Sequence, residues 1–155
     1  MKIKIELSRQ GHFIVCILLI YFVFFGYIAN VYEEHIGDNL LFLYQIFFSP
    51  RSFFSLIILI TIVFYLVFKE QFFEYGIRNS IWLVPIIILF SWFWYWFTNG
   101  YTFEFLLWYF LRLETYITII TLLCVNLLTA IITATAKEKY KLYKERITRL
   151  EMNNK

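Results

Sequence analysis

Residues 81–136 form one apolar block, broken once, at 98–114 (TNGYTFEFLLWYFLRLE). Glu104, Arg112 and Glu114 are the only charges in the whole block, and they all lie in the break. Two runs of this length joined by so short a link have few ways to fold. In water, a chain of 155 residues could not enclose them both in one core. In a bilayer each becomes a helix, because a helix bonds all its backbone groups within the segment. The pair then forms a hairpin that turns at Asn99-Gly100 beside a membrane surface.

The remaining chain fits the same solvent. Over the whole chain 61% of residues are hydrophobic, and the mean hydropathy of +0.69 exceeds what a soluble domain of this size can hide. Residues 13–31 contain no acid and no strong base, and their 19 residues cover roughly the ~30 Å hydrocarbon core. Lys2, Lys4 and Arg9 before them imitate a signal peptide. The run is too long and too aromatic for one, and it has no small-residue exit, so it reads as a retained first span. Residues 53–68 make a second span, with Lys69 able to snorkel at its end. Residues 69–80 read as a charged turn with Gly76 as a breaker. Residues 81–97 and 115–136 are the third and fourth spans. Pro85 falls one turn into the third, and Trp92, Trp94, Tyr95 and Trp96 crowd its far end as an aromatic belt. Residues 39–49 are apolar but too short to cross, which suits an interfacial or re-entrant amphipathic segment.

Charge sets the orientation. With the N-terminus inside, twelve Lys and Arg fall on the inner side and only Arg51 and Arg112 on the outer. The expectation is therefore an all-α integral membrane bundle of four transmembrane helices in a cell (inner) membrane, with both termini cytoplasmic. Residues 1–136 form the bundle and 137–155 a basic helical tail. In the tail, Tyr140, Tyr143, Ile147 and Leu150 recur at heptad-like spacing, and the bases around them suit an anionic lipid surface. The bilayer accounts for this charge distribution without a nucleic acid.

Chemistry-bearing patterns are few. The fourth span carries Thr115, Thr118, Asn126, Thr129 and Thr133 on one helical stripe. An amide at that depth needs a partner, either in the chain's own bundle or outside it. Continuing the helix back through the break would bring Glu104, Trp108 and Arg112, spaced four apart, near the same face. Glu33, Glu34, His35 and Asp38 make an acidic cluster, but one histidine without a defined loop is a poor metal site. Cys16 and Cys124 both sit in apolar runs and read as small buried residues. No hydrolase, metalloprotease or phosphate-loop pattern occurs in the sequence. No catalytic, cofactor or metal residue is therefore assigned, and the chain is expected not to be an enzyme.

In size, span layout and a composition weighted to residues of A+T-rich codons, the chain resembles plasmid- or bacteriocin-encoded inner-membrane proteins that give self-protection. These include immunity proteins against pore-forming colicins and entry-exclusion proteins of conjugative plasmids. The resemblance implies a non-enzymatic multi-pass protein that works by contact with a membrane or extracytoplasmic protein partner. Glu104, Trp108, Arg112, Glu114, Thr118, Asn126 and Thr129 are the candidate contact residues. A small transporter or channel subunit, a holin-like lesion former and an assembly factor of a larger membrane complex are the competing expectations. Four-helix exporters rely on an acid in the first span, and residues 13–31 have none.

Overall fold

The computed structural model describes residues 2–31, 40–50, 52–70 and 72–153, and the side chains of 10–31, 40–50, 53–70 and 72–149. The acidic cluster of Glu33, Glu34, His35 and Asp38, together with Arg51, lies outside the described residues. Helix α1 covers 2–31 in three consecutive pieces: Lys2–Leu19, a π-helical stretch Ile20–Phe25, and Gly26–Val31. Short α2 (Phe42–Phe47) follows, then α3 (Ser52–Lys69), α4 (Phe73–Asn99), short α5 (Glu104–Leu111) and long α6 (Leu113–Asn153). Among the described residues there is no strand.

Three stretches are long and apolar enough to cross a membrane: Gln10–Val31, Phe73–Asn99 and Leu113–Arg149. Helix α3 is shorter, at 18 residues, with Lys69 its only charge. The long α6 packs on α3 and α4, α3 packs on α1 and α4, and α2 wedges against α3 and α6. The core is apolar and drawn from all four long helices, with Ile20, Phe24, Leu59, Val63, Leu66, Leu83, Ile87 and Leu122 fully covered. Burial is nonetheless shallow. Only 22% to 33% of each membrane-length window is covered by the rest of the chain. Phe22, Phe53, Phe93, Leu128 and Ile132 all point outward. Exposing such surface to water would cost roughly 25 cal/mol per Å²; hydrocarbon removes that cost. The protein is thus an all-α assembly built around membrane-length helices.

Several local expectations change. Residues 69–80 are not a turn throughout, because α4 already begins at Phe73. Gly76 lies inside that helix and is buried against α3, where an added Cβ would meet Val67 Cγ1 at 3.1 Å. It permits a close helix approach rather than breaking a helix. The earlier start also puts Pro85 mid-helix, not one turn in, so its missing N–H leaves the Ile81 carbonyl without that bond. Helix α2 is no free interfacial segment: Phe42, Leu43, Ile46 and Phe47 are all buried against the bundle. Cys16 is buried as expected, whereas Cys124 is exposed on the outer face of α6.

Candidate contact surface

The break between α5 and α6 shapes the candidate surface. The sequence placed the last span from 115 and left open whether its helix continues back through the break to 104. It does not: α5 stops at Leu111, and Arg112 is extended, with φ −91° and ψ 134°. The cause is local. Thr115 Oγ1 donates to the Tyr109 carbonyl at 2.5 Å, which also accepts the Arg112 N–H at 3.4 Å. The bond that a continuing helix would make from residue 113 is thus replaced by a tighter turn and a side-chain donor. Thr115 N–H bonds the Arg112 carbonyl at 3.3 Å and closes the corner. Glu104 and Trp108 therefore share a helical face, but Arg112 leaves it.

Aromatic edges hold α5 in place. Trp92 meets Tyr109 edge-on at 5.4 Å, and Trp96 meets Phe105 at 5.1 Å. Trp96 Nε1 donates to the Thr102 carbonyl at 3.0 Å and pins the connecting loop. The indole N–H of Trp94 is buried without a partner, and that of Trp92 is buried beside the Tyr109 hydroxyl. Trp92 and Trp96 make a packing platform for α5 and Trp94 stacks on Tyr21 of α1, so the expected belt is partly turned inward and the aromatic residues exposed beside it are Phe93 and Phe97. Burial pushes the Tyr109 phenol up to about 12, with the adjacent Trp92 indole acting weakly the other way, so it is a neutral packing group at any ordinary pH.

With the corner turned, Trp108, Arg112 and Glu114 face Leu40, Leu41, Tyr44 and Gln45 across a groove of about 390 Å³. Trp108 is 61% exposed, Arg112 is exposed and Glu114 is half-buried. Glu104 is exposed at the other end of α5 and does not line the groove. The structure thus brings together three of the four charged or aromatic candidates. It adds Tyr44 and Gln45, which the sequence reading passed over because α2 looked merely apolar. A guanidinium, a carboxylate and two aromatic rings around one opening can hold a polar segment through hydrogen bonds and ring contacts.

The candidates further along α6 lie elsewhere. Thr118 and Asn126 are buried inside the bundle, and Thr129 is half-buried. Thr118 Oγ1 donates to the Glu114 carbonyl at 2.8 Å, and the Thr129 carbonyl accepts from Thr133 Oγ1 at 2.7 Å. Asn126 Nδ2 reaches across to the Ser80 carbonyl of α4 at 3.1 Å, while its Oδ1 is unpartnered. The stripe therefore ties α6 to its neighbours, and the outward surface is made by the α5–α6 corner.

A second polar group, at the opposite end of the bundle, was missed. Glu70 is buried, and its Oε1 accepts from Asn79 Nδ2 at 2.8 Å. Lys137 Nζ donates to the Phe68 carbonyl at 2.6 Å and also to the Glu70 carbonyl. It caps the C-terminus of α3, where the helix dipole favours a cation. The signal was present in the sequence: Lys137 is the first base after the last span and Glu70 follows the second, so the two share a depth. No known protein family, characterised protein or solved structure matches this chain. Among the described residues, no group of three or more metal-ligating side chains converges.

Proposed function

We propose that this is a four-span inner-membrane protein with both termini cytoplasmic, which acts without catalysis by gripping a protein partner at its α2–α5 groove. Support for the fourth span comes from α3, whose 18 residues rise about 27 Å and pack against the longer α1, α4 and α6. Support for the orientation comes from the bases, twelve against two. One observation carries the contact reading: Arg112 leaves its helix and stands exposed beside Trp108, opposite Tyr44 and Gln45. An exposed guanidinium framed by aromatic rings is a common anchor in protein recognition. The partner belongs to the extracytoplasmic side or the outer leaflet, as a pore-forming toxin or an incoming conjugation component would. Bacteriocin immunity and plasmid entry exclusion are the roles that fit.

Arg112→Ala tests this. The variant should insert and accumulate like the parent, while protection of expressing cells against the cognate toxin or incoming plasmid falls by about ten-fold, as expected for losing a contact worth roughly 1.4 kcal/mol. Equal sensitivity of cells with and without the parent protein would remove the role altogether. Failed insertion of the variant would reduce Arg112 to a topology signal.

A further inference from the structure

Helix α6 does not stop at the membrane. It runs unbroken for 41 residues, with no glycine or proline from end to end. Helices bend sharply only at prolines, glycine or serine pairs, π-bulges or inserted groups, and none marks the passage from the apolar part to the basic part. Residues 113–136 already rise about 36 Å, enough for the ~30 Å hydrocarbon core. The remaining 137–153 therefore continue for roughly 25 Å along the same axis. A helix held across a bilayer in this way cannot also lie flat on its surface. Lys137 fixes the exit point by its bonds to the end of α3.

Every side chain from 138 to 149 is exposed, although Glu138 and Lys141, nearest the exit point, share an opening with Phe72 and Phe73 of the bundle. The surface of this projecting part is sorted. Tyr140, Tyr143 and Ile147 fall at a and d positions, and the spacing continues at Leu150. Their stripe lies roughly 140° around the helix from Lys137, Glu138 and Lys141, which face the rest of the bundle. The stripe therefore points away from the chain's own helices. Bases flank it: Lys144 at an e position, Lys139 and Arg146 at g positions. The acids Glu138 and Glu145 fall at f, on the far face, and Glu151 is the one acid in the flanking register. A second copy of this chain in parallel would set Lys139 of one molecule against Lys144 of the other, a like-charge pair, and Arg146 against Glu151, an opposite pair. It gains no net charge pairing, whereas acids on a different helix would meet all three bases favourably.

We infer that the projecting end of α6 is one strand of a short heteromeric coiled coil, whose occupant is an acidic amphipathic helix of a water-soluble protein or domain. Apolar residues of that helix cover Tyr140, Tyr143 and Ile147, and its Asp or Glu residues pair with Lys139, Lys144 and Arg146. The inference uses none of the groove residues, so it stands or falls separately from the proposed contact at the other end.

The test places the full chain in nanodiscs of phosphatidylcholine. The probe is a fluorescent four-heptad peptide with Leu at a and d and Glu at e and g, and the control peptide carries Lys at e and g. The Glu peptide should bind at least about ten-fold more tightly than the Lys peptide, since e and g charges choose the partner. Replacing Tyr140, Tyr143 and Ile147 together by Ser should cost about ten-fold, whereas Leu142→Ser, off the stripe, should cost less than about two-fold. Reversing Lys139, Lys144 and Arg146 to Glu should switch preference to the Lys peptide. Four results would each overturn the inference: no binding of either peptide, equal binding of both, equal damage from Leu142→Ser and the stripe variant, or paired chains in the nanodisc. So would loss of peptide binding when about a third of the lipid is phosphatidylglycerol, because the bases would then serve an anionic lipid surface.

Discussion

The two ends of the bundle are held in different ways. At the end that carries the tail, a few directional bonds to charged groups join separate helices: Lys137 to the Phe68 and Glu70 carbonyls, and Asn79 to the Glu70 carboxylate. At the hairpin end the cohesion is spread over ring edges, with Trp92 and Trp96 gripping Phe105 and Tyr109. Hydrogen bonds from a charged donor contribute about 1.5–3 kcal/mol; one aromatic pair contributes about 0.5–1.5 kcal/mol beyond its buried area. The tail end is therefore fixed by few strong links and the hairpin end by many weak ones. A surface built on dispersed contacts can leave a charged group such as Arg112 exposed without coming apart.

Lys137→Met should have the largest effect on this contrast. Methionine keeps the apolar stem and removes the ammonium, so the end of α3 loses its cation and two carbonyls lose a donor. Stability in mild detergent, read by denaturant titration, should fall by about 2 kcal/mol. A loss under about 0.5 kcal/mol would mean that water replaces the lysine freely, and that the tail end is no more firmly tied than the other.

Thr115→Val comes next, with an expected loss of about 1 kcal/mol. The substitution is nearly isosteric and removes only the hydroxyl that takes the Tyr109 carbonyl. Amide exchange should quicken within α5 and stay unchanged around Lys137. Slower exchange at 112–114 would instead mean that α5 and α6 have merged into one helix. In that case the hydroxyl alone keeps Arg112 out of helical register.

The sequence made the membrane-length helices plain, because long charge-free runs need no knowledge of tertiary contacts. It also placed the polar stripe of α6 correctly as a stripe. It could not say where the stripe points, since a periodicity names a face and not its neighbour. Thr115 shows why the sequence could not say whether the last helix runs back through the break. As a residue it is compatible with a helix, and only its meeting with the Tyr109 carbonyl turns it into a helix stop. Gly76 did mislead: glycine marks both breaks and close approaches, and Val67 decides between them. Of the candidate groove, Trp108, Arg112 and Glu114 were legible as an odd polar set in apolar surroundings. Tyr44 and Gln45 were not, because their position depends on how α2 folds back onto α3 and α6.

Asn126→Leu should give the smallest change, and it tests whether the middle of the bundle belongs with either end. The amide donates to the Ser80 carbonyl at 3.1 Å, and this is the bond across helices that the stripe makes at depth. Such bonds within membrane bundles average only about 0.6 kcal/mol. Against that, Oδ1 is buried and unpartnered, which costs on the order of 1–3 kcal/mol by desolvation. Leucine forfeits the first term and relieves the second, so stability should move by less than about 1 kcal/mol. The α4–α6 register should loosen even so, because leucine can settle against several neighbours where an amide has one acceptor. Cysteine pairs placed across α4 and α6 would read that register as a broadened cross-linking pattern. A loss above about 2 kcal/mol would require Oδ1 to hold a bound water or another donor. The middle of the bundle would then be tied by polar bonds in the manner of the tail end.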